Sequence, residues 1–87
     1  MAEPEVHDLD HLMRICGVSV TDASARAGIA ESNFRRWRNQ GVSPNMSRFG
    51  KLRSAVIQIA IDRDKLPEGC QHKTVPELIE LAKGWRV

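Results

Sequence analysis

Tyrosine is absent from this chain of 87 residues, and aromatic side chains make up only 5% of it. Packing must then rest on aliphatic residues and on Phe34, Trp37, Phe49 and Trp85. Cysteine is scarce: Cys16 and Cys70 are too few and too far apart to suggest a disulfide framework. Long apolar runs are missing, so no signal peptide or membrane span is expected and a reducing cytoplasm is the default compartment. Repeats, low-complexity segments and a glycine-rich phosphate loop are missing too. No nucleophile motif surrounds the Ser, His and Asp residues, which argues against an enzyme. Cys70-Gln71-His72 lacks a second nearby pair of ligands, so neither a metal nor a cofactor is expected. No small-molecule pocket is evident.

What is present is enough chain for one domain with a small core, and not for two. The formal net charge is only +2, but its distribution is uneven. Residues 1–25 hold five acids against Arg14, a net of −4. Residues 26–53 hold seven cations against Glu31, a net of +6, and residues 54–87 balance. A basic block between acidic and neutral ends is a footprint for a polyanion, although many charge runs are only solvated helix faces.

The basic block coincides with residues 20–40, which read as two short helices joined by a tight turn. Ala23, Ala27, Ile29, Phe34 and Trp37 are small or apolar, and Gly28 separates the halves. Small residues let the first helix lie close to the second, and glycine frees the turn. Phe34 and Trp37, three apart, fasten the second helix to a core. Trp37 as a stacking platform for single strands is the weaker reading.

The rest of the chain predicts further helices. Residues 1–6 read as a flexible tail. Asp8 would cap a helix ending near Cys16, with Leu9, Leu12, Met13 and Cys16 on one face, while His7 and His11 face solvent. Ser19 and Asp22 form an S-x-x-D cap for residues 20–27, and the next helix runs from about 30 or 31 to 39 or 40. Ser43-Pro44 would open another helix, with Met46, Phe49, Leu52, Val56 and Ile59 as its stripe. Residues 56–61 either continue that helix or form a short strand. Residues 63–73 read as a polar connection, and Thr74 with Glu77 caps a last helix over about 75–83. The expected architecture is therefore all-α: a helix-turn-helix domain over residues 7–62, then a C-terminal helix over 74–87 for packing or dimerisation.

The run Ser19 to Gly41, followed by Ser43 to Leu52, resembles the Cro/phage-repressor type of helix-turn-helix domain. The match spans about residues 9–56 and includes the capping Ser19, the central Gly28, the Phe34/Trp37 pair and the Ser-Pro start. Val20 stands where that family often has Gln, Ser24 where it favours Ala, and Ala30 where it often has a capping Ser or Thr. The resemblance implies a compact bundle of about five helices. It also implies a transcriptional regulator, most often a repressor, that binds a palindromic operator as a homodimer in a bacterial or phage-infected cell.

On a helix lying in the major groove, Glu31, Ser32, Arg35, Arg36 and Asn39 would face the bases. Arginine can bridge guanine O6 and N7, Asn can pair with adenine, and Glu can accept from cytosine or orient an arginine. Glu31 could equally be a helix-start acid favoured by the macrodipole. Phosphate contacts are expected from Ser19, Thr21, Arg38, Asn45, Arg48 and Lys51, and solubility alone would also explain the last two. Ile57, Ile61, Leu78, Leu81 and Trp85 are candidates for either a dimer interface or the core. Two other functions compete: an excisionase or MerR-like DNA-bending module, which needs a β-wing after Gly41, and an antitoxin-like protein-interaction adaptor.

Overall fold

The computed structural model describes residues 4–85. They form five α-helices in chain order, α1 (Pro4–Cys16), α2 (Val20–Ala27), α3 (Glu31–Asn39), α4 (Met46–Asp62) and α5 (Val75–Gly84), with a 3-10 turn at Cys70–His72 before the last. No strand occurs among the described residues, so 56–61 continue α4. The principal extents are 34 × 23 × 20 Å.

Two pairings organise the bundle: α1 packs on α5, and α2 on α4. α3 sits between α1 and α2, and α4 runs through the middle with Phe49, Leu52, Val56, Ile57, Ile59 and Ala60 all buried. One core cluster joins side chains from every α-helix, so residues 7–62 and the described part of the C-terminal segment, 74–85, belong to a single unit.

α1 begins earlier than expected. Val6 lies three residues before Leu9, extends the same stripe and is fully buried. Residues 4–6 are therefore helix rather than tail, with proline tolerated in the first turn, where its missing N–H costs nothing. Residues 1–3 of the expected tail lie outside the described residues. Gly17 ends α1 at φ +68°, and the Val18 N–H reaches back to the Met13 carbonyl at 2.8 Å. Gly28 repeats the device at φ +72°, with the Ile29 N–H on the Ser24 carbonyl at 3.0 Å. These left-handed exits turn the chain sharply enough for α2 and α3 to pack.

α4 begins later than expected. Ser43 precedes a proline and is steered away from helical geometry. Asn45 is the N-cap instead, and its Oδ1 accepts from the Arg48 N–H at 3.1 Å. Met46 is consequently the first helical residue, 66% exposed, and does not belong to the core stripe. The connection over 63–73 is less polar than its composition suggests. Leu66 and Cys70 are buried, and Arg53 donates to the carbonyls of Gln71 and Lys73. The T-x-x-E cap of α5 is made in both directions between Thr74 and Glu77. At α2, Ser19 accepts from the Asp22 N–H at 3.0 Å while the Asp22 carboxylate turns to Arg63.

Ile57 and Leu78 are fully buried inside the chain, which removes them from any dimer interface. Ile61 and Leu81 pack half-buried against the same core, and Trp85 is half-buried. Among the described residues, the large apolar side chains left exposed are Val42 and Met46.

Two substitutions test this packing. Val6→Ala should cost about 1–2 kcal/mol in urea denaturation, from roughly 0.8 kcal/mol per buried methyl group plus a small cavity. A flexible tail residue would show less than about 0.5 kcal/mol. Ser24 is 2% exposed, and its hydroxyl is buried without a hydrogen-bond partner among the described residues. Ser24→Ala should therefore leave stability unchanged or raise it by up to about 1 kcal/mol, because an unsatisfied polar group is removed at constant backbone shape.

Candidate nucleic-acid interface

α3 has nine residues, of which Phe34 and Trp37 are buried. Anchoring these two fixes the helix rotation. Ser32, Arg35, Arg36 and Asn39 then lie on the opposite side, all exposed and spaced 3, 1 and 3 residues apart. That spacing is one face of an α-helix. Four of the five residues expected to face bases are thus brought together, and Glu31, at the edge of the face, is half-buried.

Both arginines are held by their own helix. Arg35 pairs with Glu31 one turn back at 2.9 Å. Arg36 donates from Nη2 to Asn33 Oδ1 at 2.8 Å. A guanidinium carries five N–H donors, so a single partner orients it and leaves the other donors for a ligand. Glu31 is both the first residue of α3, where an acid suits the helix start, and the partner that orients Arg35, so its position matches both of these alternatives. Asn33 is not among the residues that the sequence singles out. Its spacing of three from Arg36 is the available signal.

Arg38, expected as a phosphate contact, spends part of its guanidinium on the protein. It is half-buried and turned inward, with Nη1 on Asp10 at 3.2 Å, Nε on Asn39 Oδ1 at 3.1 Å, and Cζ 5.6 Å from the Phe34 ring centroid. Asp10 itself is nearly buried and also takes Arg14 at 2.9 Å. This ion-pair chain ties the end of α3 to α1.

The other expected phosphate contacts lie at helix starts or on exposed faces. Ser19 and Asn45 are N-caps whose oxygens already accept backbone N–H groups. Thr21 is exposed in the first turn of α2. Arg48 and Lys51 are exposed near the start of α4, and neither has an acidic partner among the described residues. An open groove of about 680 Å³ runs between α2 and α4, with Arg26 and Lys51 in its walls. Arg26 is engaged by Asp62 at 3.0 Å. The Gln58 amide and then Arg26 hold the Asp62 carboxyl below its ordinary pKa.

Cys16 and Cys70 are free and buried, and burial pushes both thiols above their ordinary range, which disfavours the reactive thiolate. No group of three His, Cys, Asp or Glu among the described residues could hold a metal ion, and no described helix is long and apolar enough to cross a membrane. Comparison of the chain with protein-family models, characterised proteins and solved structures gives no match.

The Asp10 carboxylate is the cheapest point at which to loosen the interface. Asp10→Ala should lower stability by about 1–3 kcal/mol in urea denaturation, since two charge-assisted hydrogen bonds disappear and the half-buried Arg38 is left without its acid. An effect below about 0.5 kcal/mol would mean that the pair does not hold α3.

Proposed function

We propose that this chain is a sequence-specific double-stranded DNA-binding regulator, a repressor, reading base edges with α3 in the major groove. The observation that carries this reading is the exposed face Ser32, Arg35, Arg36 and Asn39, backed by two buried aromatics and carrying two pre-oriented arginines. Bidentate arginine suits guanine, and the amide of Asn39 suits adenine. Arg48 and Lys51, free of acidic partners among the described residues, supply the sequence-independent attraction to phosphate. The resemblance to Cro/phage-repressor domains points the same way and suggests a cytoplasmic protein that pairs on a palindromic operator. With Ile57 and Leu78 inside the core, that pairing must use a smaller apolar surface, and we infer that it is weak away from DNA.

A wing-based, DNA-bending module fits less well. Such a module needs strands after Gly41, and the chain there is a short irregular link followed by the 17-residue helix α4. An adaptor that binds protein alone leaves the exposed arginine face without a role.

Arg35→Ala and Arg36→Ala should each lose about 1–3 kcal/mol of discrimination at one guanine position, read as the ratio of affinities for a selected site and its single-base variant. Unchanged ratios in both variants, with the fold intact by circular dichroism, would remove α3 as the reading element.

A further inference from the structure

One exposed concavity lies outside the face just described. Its volume is about 500 Å³, and its walls are His7, Asp10, His11 and Arg14 from α1 with Arg38 and Asn39 from the end of α3. His7, His11 and Arg14 follow one another at spacings of four and three, so they form a ridge along one exposed side of α1. The one acid in the walls, Asp10, is already shared between Arg14 at 2.9 Å and Arg38 at 3.2 Å. Even with the histidines left out of the count, two arginines against one carboxylate leave a net positive site.

The free donors point to an acceptor-rich ligand. The Arg14 side chain is 74% exposed, so most of its N–H groups face outward although one meets Asp10. Arg38 spends Nε and Nη1 on protein partners and keeps Nη2. Asn39 accepts at Oδ1, which leaves its NH₂ as the open end of the amide. Both imidazoles are exposed and present ring N–H donors. Asn39 also belongs to the exposed face of α3, so the concavity continues that face at its C-terminal end.

We propose that this concavity is a second DNA contact that seats a backbone phosphodiester beside the major groove entered by α3. The proposal rests on the DNA-binding reading above and adds α1 to the contact surface. A helix lying in the major groove is bordered by phosphates on both sides. The border at the far end of α3 meets whatever the protein places there, and here that is a cluster of donors whose only acid is neutralised.

The test is fluorescence anisotropy of the whole chain on a selected duplex and on a scrambled duplex, between about 50 and 300 mM salt. Two variants are compared with the native chain: His7→Gln/His11→Gln, which breaks no observed contact, and Arg14→Gln. Lys83→Gln, far along the chain on α5, is the control. Both test variants should bind about three- to tenfold more weakly at low salt, equally on the two duplexes, and Arg14→Gln, which removes a cation, should also reduce the salt slope by about 0.9. Native affinity in the histidine double variant, or native affinity and slope in Arg14→Gln, would overturn the proposal, while altered discrimination in Arg35→Ala would leave the reading of α3 standing. Failure of the native chain to bind either duplex would overturn both. A difference between native and variants seen only with inorganic phosphate, and not with duplex, would also overturn it.

Discussion

The orientation of α3 depends on Phe34 and Trp37. The helix ESNFRRWRN has no other apolar side chain, so nothing else can hold it to the bundle by burial. The two rings meet edge to face with centroids 6.3 Å apart, and Trp37 then meets Phe49 of α4 at the same separation. Aromatic pairs of this kind add about 0.5–1.5 kcal/mol each beyond their buried area. The constraint is geometric as much as energetic. Two anchors three residues apart fix rotation about the helix axis, and that rotation decides which polar side chains face outward. A helix so polar would not persist alone at nine residues, so its face exists only because the aromatic cluster exists.

The polar side of α3 is also organised. Glu31 and Asn33 hold Arg35 and Arg36 from positions one turn nearer the helix start, and Asp10 holds Arg38 from a neighbouring helix. The three arginines therefore divide into two that remain at the surface and one that has become structural. Each long side chain fixed in advance loses less rotamer freedom when a ligand arrives. Exposed pairs such as Glu31 with Arg35 contribute little to stability, so their value lies in direction rather than in energy.

Much of this is legible in the sequence, where local rules act over three or four residues. The spacings of Leu9, Leu12, Met13 and Cys16, the glycines at 17 and 28, the Ser19 and Thr74 caps and the Phe34/Trp37 pair all lie within that range. Sequence and structure part where two local signals compete or where distance in sequence hides a contact. Ser43-Pro44 has the form of a helix start, but Asn45 two residues later makes the better cap. Val6 is masked by Pro4 and its acidic neighbours, which suggest a tail. Ile57 and Leu78 cannot be assigned between core and interface from periodicity, which says which face is apolar and not what covers it. Arg38 resembles one more cation in a basic block. Its partner Asp10 lies 28 residues away, on a helix that no spacing rule connects to α3.

The central claim is that the outward face of α3 reads bases, and selection from a randomised pool of duplex DNA by the native chain at two salt concentrations tests it most directly. The predicted result is an enriched consensus containing guanine, with two-fold related half-sites about one helical turn apart, that persists at the higher salt. Binding that falls steeply with salt and enriches no sequence would contradict it and leave only the basic block at work. Absence of binding at low salt would contradict it outright and favour a protein-interaction module on the same scaffold.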